Sequence, residues 1–188
     1  MFTISEPSER DIVSFISGQR GLGFTYAEVG ATNNTPPDGY TVDHNRIQLG
    51  YGEATYKRAI DALKNWRQFD LGWVTAVPRD VPIEVGATVA VKARAFGMWS
   101  LNACRVVYVI DEARRFGFAY GTLPDHVECG EERFLIEWLD DDSVWYDILA
   151  FSRPQHPLVK FGVPLARLLQ RRFAHDSMAR ILAADKRE

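Results

Sequence analysis

The stretch Arg115–Pro154, RFGFAYGTLPDHVECGEERFLIEWLDDDSVWYDILAFSRP, limits the possible folds more than any other part of the chain. Phe116, Phe118, Tyr120 and Thr122 alternate with Gly117, Ala119 and Gly121, a period of two that gives a strand one large face and one small face. After a loop over Leu123–Gly130, Phe134, Ile136 and Trp138 alternate with Arg133, Leu135 and Glu137. The run Asp140, Asp141, Asp142, Ser143 ends that strand, because acidic residues and Ser favour turns. Val144, Tyr146, Ile148, Ala150 and Ser152 then resume one face, and Trp145, Asp147, Leu149 and Phe151 the other. Connections this short join only antiparallel neighbours. The glycines of the first strand point to a bulge there, a bend, or a close approach of something to the backbone.

Upstream, Ile12, Phe15 and Ile16 sit at helical spacing, so a short amphipathic helix is expected to end near Gly18. Phe24–Val29 is a possible strand, residues 32–39 read as loop, and Tyr40–Leu49 as a strand carrying Val42, His44, Arg46 and Gln48 on one face. Tyr56, Ala59, Ile60, Leu63, Trp66 and Phe69 then describe an amphipathic helix. The Gly50-Tyr51-Gly52 junction ahead of it lacks the third glycine of a dinucleotide fingerprint, and antiparallel runs follow, so it reads as a tight strand-to-helix turn. Trp73–Val77, Thr88–Phe96 and Asn102–Ile110 are the next strands. At the end, Leu165, Leu168, Leu169 and Phe173, continued by Ile181 or Leu182, form an apolar helical stripe, with Pro157 and Pro164 as first-turn residues of two helical pieces.

The chain of 188 residues is long enough for one full core, and its net charge of −3, with no Lys/Arg block, excludes a general nucleic-acid binder. No run approaches the roughly 20 apolar residues of a membrane span. Cys104 and Cys129 have neither the spacing of a metal site nor the number of a disulfide framework, so a reduced, cytoplasmic setting is the default. Neither a metal nor a cofactor is expected, and the pattern fixes no oligomeric state.

One strand, a helical insertion, six antiparallel strands and a final helix is the element order of the α+β helix-grip fold (START/Bet v 1-like), a curved antiparallel sheet around a long C-terminal helix. The wording of the last third is more specific than its pattern. RVVYV (Arg105–Val109), FAYGTLPDHVECGEERF (Phe118–Phe134), VWYDILAFSRP (Val144–Pro154) and QRRFAHDS (Gln170–Ser177) resemble the domain-of-unknown-function family nineteen-ninety. So do LGYGEATYKRA (Leu49–Ala59) and the spacing of Trp66, Phe69 and Trp73. At the level of fold the resemblance extends to the START/polyketide-cyclase group, whose members bind lipids, hormones or polyketides and some of which are enzymes. It implies one helix-grip domain over residues 1–188, with a short N-terminal helical extension over about the first 30 residues.

The residues with chemical potential follow from this arrangement. His126, Glu128 and Glu131, with Glu132 and Arg133 beside them, crowd one hairpin; His126 titrates near neutrality and a carboxylate can orient it, or the group is only a charged turn. Tyr108, Tyr120 and Tyr146 stand on three strands whose faces can line a cavity or pack in the core. Arg105 and Arg153 are the basic residues to watch: Arg153, where the last strand hands over to the final helix, can receive a carboxylate or phosphate or pair with an acid such as Glu131, and Arg133 is a further ligand-binding candidate unless it pairs with Glu131 across the turn. Phe118, Tyr108 and Trp138 would line the apolar part. Three functions fit: a binder of a small apolar or amphipathic molecule with a polar or acidic head, held between sheet and helix; a cyclase-, hydratase- or hydrolase-type enzyme using His126 and a neighbouring carboxylate; and an interaction module with a filled core.

Overall fold

The computed structural model describes residues 1–155 and 163–185. The strands are β1 (Phe2–Thr3), β2 (Thr41–Tyr51), β3 (Val74–Val77), β4 (Thr88–Ala95), β5 (Met98–Glu112), β6 (Arg115–Thr122), β7 (Glu128–Trp138) and β8 (Ser143–Pro154). The α-helices are α1 (Glu9–Gln19), α2 (Gly52–Lys64) and α3 (Val163–Asp185). Strands β2 to β8 form one antiparallel sheet in the order β2-β8-β7-β6-β5-β4-β3, and β1 adds to β5. This is the α+β helix-grip architecture that the element order implies.

Local chemistry sets the boundaries. Ser8 caps α1 in a reciprocal pair with Asp11: the Asp11 N–H donates to the Ser8 hydroxyl and the Ser8 N–H to the Asp11 carboxylate. At the Gly50–Gly52 turn, Gly52 has φ of 81° and donates its N–H to Asp142 O at 2.9 Å, a conformation that a side chain would strain. Phe24–Val29 is not a strand. Its Thr25 N–H reaches Thr122 O, but no ladder follows. Strand β7 starts at Glu128, so the loop before it is shorter than Leu123–Gly130. Pro164 lies in the first turn of α3, whereas Pro157 lies outside the described residues.

The two faces of the sheet are covered differently. On the convex face α1 packs Ile12 and Ile16 against Ala90 of β4 and Leu101 of β5, and residues 24–40 lay Tyr26 and Tyr40 against Phe151. The glycines of β6 keep regular register, and Gly121 makes room for Tyr26, whose hydroxyl would overlap any Cβ there. The bulge lies instead in β5, between Val106 and Tyr108.

The concave face carries the main core, with Phe118, Phe134, Ile136 and Tyr146 from the strands meeting Tyr56, Ala59 and Leu63 of α2. Helix α3 is pinned by its C-terminal half. Ile181 is fully buried, the Tyr146 hydroxyl meets the Ser177 hydroxyl at 2.9 Å, Trp73 Nε1 donates to Asp176 at 2.9 Å and Arg180 to Asp70 at 2.6 Å. The expected stripe is therefore displaced: Leu165 and Leu168 are exposed, and Leu169 faces a cavity. Ile181→Asp is expected to destabilise the protein by about 3–5 kcal/mol, since it buries an unpaired charge, whereas Leu168→Asp stays within about 0.5 kcal/mol. Equal shifts of the denaturant midpoint for the two variants would show that α3 is not held in this way.

Candidate functional site

Between the first half of α3 and the sheet lies a cavity of about 370 Å³. Phe69, Trp73, Val91, Ile148, Leu169 and Phe173 supply apolar walls. Polar side chains gather toward the end where β7 begins: Asp43, Asn45, Asn102, Thr122, His126, Glu128, Glu132, Ser152 and Gln170.

Register explains why those residues meet. Asp43 pairs with Ala150, Ala150 with Glu132, and Glu132 with Tyr120, so one rung of the sheet carries two acids and a phenol across four strands. Gly130 and Ser152 form part of the next rung, and Glu128 follows on β7 two residues from Gly130, on the same face. Small Ala150 and Gly130 thus leave open floor among Asp43, Glu128 and Glu132.

Protonation at this end is unusual, and burial is the leading cause throughout. The Tyr120 hydroxyl donates to Glu132 at 2.7 Å. Enclosure by protein pushes the Glu132 carboxyl up to about 7, with the Asp43 charge adding to the rise and the Tyr120 hydrogen bond opposing it. Glu128 is also raised by burial and by Asp43, against the pull of Arg167 and the Ser152 hydroxyl. One of its oxygens, Oε2, has no hydrogen-bond partner. Burial lowers His126 to about 4, so its ring is neutral. Its Nδ1 lies 2.9 Å from the Glu128 N and 3.0 Å from the Glu128 O, so the ring is held against the Glu128 backbone. Arg167 donates to Asp43 at 2.7 Å and to Gln170 at 2.8 Å.

The sequence candidates separate sharply. Tyr120, His126 and Glu128 line the cavity. Glu131 borders it, but its carboxylate turns to the convex side, where it accepts the Tyr26 hydroxyl at 2.8 Å, the Gly30 N–H at 2.7 Å, the Thr32 N–H at 3.0 Å and the Thr32 hydroxyl. That carboxylate is a clamp on the segment crossing the convex face. Tyr108 lies on the same outer side, 2.8 Å from the Thr32 hydroxyl, because the β5 bulge reverses the face it would share with Val106. Arg133 is there too, bonded to Thr32 O and Asp147, and Arg153 stacks over Tyr40 at 4.6 Å. Phe118 is buried against Trp66, and Tyr146 is held by Ser177. Trp138 packs on Tyr56 at the far end of β7. Arg153, one of the features expected to favour an acidic head, therefore lies apart from the cavity's polar end.

Sequence reasoning missed Asp43, Asn45, Asn102, Arg167 and Gln170. For Glu132 the signal was present, since the alternation that buries Phe134 and Ile136 puts it on the same face. Among the described residues no three His, Cys, Asp or Glu side chains are grouped so as to hold a metal, and no helix is long and apolar enough to cross a membrane.

Linkage gives these shifts opposite consequences. With Glu132 raised, the folded state holds the proton that the unfolded chain releases, so stability falls as pH rises from about 4.5 to about 7. With His126 lowered, the unfolded chain takes up a proton first, so stability falls as pH drops from about 6.5 to about 4. Glu132→Gln is expected to remove the loss on the alkaline side and to gain on the order of 2 kcal/mol above neutrality, allowing for water that reaches the cavity. Thermal melts of wild type and variant across this range check it; parallel pH profiles would count against a raised Glu132.

Comparison with known proteins places this geometry. Residues 25–180 match the sequence model of a family described as "Domain of unknown function (DUF1990)". The chain is 36% identical over 206 residues to a UPF0548 protein of Dictyostelium discoideum, covering 98% of this chain and 95% of that one. It is 37% identical over 186 residues to a UPF0548 protein of Deinococcus radiodurans, covering 93% of each. Among solved structures it is similar to the Zhui aromatase/cyclase from Streptomyces sp. R1128, with a TM-score of 0.55, 11% identity and coverage of 79% of this chain and 94% of that one. The hypothetical protein jhp0584 from Helicobacter pylori gives a TM-score of 0.54 at 14% identity, covering 87% of this chain and 96% of that one. At such identities the likeness to these structures is one of fold.

Proposed function

The chain belongs to the family described as a domain of unknown function (DUF1990), and we propose that it binds a small, largely apolar molecule with a polar group in the cavity between sheet and α3. The observation that carries this reading is the division of the cavity wall. Apolar side chains form most of it, while Tyr120, His126, Glu128 and Glu132 converge at one end. Apolar walls supply affinity by removing ligand surface from water, and the polar end fixes orientation. The volume, about 370 Å³, is within the range of small-molecule sites. Similarity in fold to an aromatase/cyclase is in keeping with a small-molecule site.

An enzymatic reading has one specific observation in its favour. Glu132, raised to about 7, holds a proton that it can give or take near neutrality, and the neutral His126 presents an N–H. A cyclase, hydratase or hydrolase acting on a ligand in this cavity would use Glu132 rather than Glu131 as the carboxylate. An open cavity counts against the third reading, a module with a filled core.

Native mass spectrometry of the purified protein is expected to show a co-purified small molecule, and the neutral dye Nile red to gain fluorescence on binding. Ala150→Phe fills the floor of the cavity and is expected to weaken dye binding about tenfold or more with the fold retained. Unchanged dye affinity in a folded Ala150→Phe protein, with no co-purified molecule, would overturn the binding reading.

A further inference from the structure

We propose that the polar group of the ligand is a protonated amine, so that the cavity selects an apolar or amphipathic cation over an acid. This rests on the binding reading above and names the head group it left open. The first observation is the sign of the wall. Among the described residues, those lining the cavity include Asp43, Glu128, Glu131 and Glu132 and no Lys or Arg. Of the cations described nearby, Arg167 donates to Asp43 and Gln170, and the Met1 ammonium donates to Leu101 O.

The second observation is independent of charge count. Glu128 is only 9% exposed, lines the cavity, and its Oε2 has no hydrogen-bond partner. A buried carboxylate oxygen left unmatched costs free energy unless a donor arrives. Glu132 has the Tyr120 hydroxyl as a donor but no cation, and the floor beside it is formed by Ala150 and Gly130. A carboxylate or phosphate head would add a third like charge to this enclosed end. An ammonium would instead meet acceptors there, Glu132 first, with charge-assisted hydrogen bonds.

The test compares decylamine, decanol and decanoate, which share one tail and differ in the head, as competitors of bound Nile red near neutral pH and below their micelle concentrations. Decylamine is expected to bind about tenfold or more tightly than either of the others. Glu132→Gln and Glu128→Gln, checked for retained melting temperature, are expected to reduce that preference to within about threefold. Decanol or decanoate binding as tightly as the amine would overturn the amine assignment and leave the binding reading standing. So would an amine that fails to displace a dye that does bind, or a preference untouched in both variants. Failure of Nile red and of all three competitors to bind would overturn the binding reading itself.

Discussion

The structure depends on how one helix is held against a curved sheet. Antiparallel strands from β2 to β8 present a continuous apolar concave face, and exposed apolar area of that extent must be covered. Helix α2 covers part of it and α3 the rest. The second half of α3 is fastened into the core, by Ile181, by Ser177 on Tyr146, by Asp176 on Trp73 and by Arg180 on Asp70, while the first half is tied to the sheet by polar contacts, Arg167 on Asp43 and Gln170 on Ser152. Phe173 reaches Phe69 and Phe134, whereas Leu169, one turn earlier, lines a cavity, so the fold acquires its cavity between the first half of α3 and the strands.

Alternation along a single strand then divides the acids of β7 between two duties. Glu131 and Glu132 are adjacent, so their side chains leave opposite faces of the sheet. Glu131 is met by N–H and O–H donors from Tyr26, Gly30 and Thr32 and holds the outer segment in place. Glu132 is met by one phenol and an otherwise enclosed space. Two chemically identical residues therefore differ in role because one has its donors built into the chain and the other does not.

This division marks where reading the sequence succeeds. Alternation in β6, β7 and β8 and the apolar spacing of α2 are local patterns, and the element order they produce is enough for the helix-grip architecture. The resemblance in FAYGTLPDHVECGEERF marks the family. Tyr108 shows why the site was harder: one extra residue in β5 reverses its direction, and nothing in RVVYV announces the bulge. Arg133 and Arg153 were legible as cations but not as residues of the convex face, because their partners, Asp147 of β8 and Tyr40 just ahead of β2, are set by the pairing of strands rather than by local pattern. Arg167 and Gln170 join this end of the cavity through contacts with Asp43 of β2 and Ser152 of β8, a tertiary arrangement without a local signature. Phe24–Val29 carries β-forming residues but makes its contacts through Tyr26 and Thr25 rather than a ladder, so context overrides propensity.

At the polar end of the cavity buried carboxyls stand without a paired cation among the described residues. Elsewhere buried acids have firm partners: Asp147 meets Arg133 and His44, and Glu131 its ring of donors. In the cavity, Glu132 is lifted to about 7 and Glu128 is lifted as well, with one oxygen unmatched. A sequence selected for stability alone would replace such groups with apolar side chains of similar size. Their presence at one end of an enclosed apolar space, on one rung of the sheet with Tyr120 and Asp43, is the pattern of a site whose missing interactions belong to another molecule.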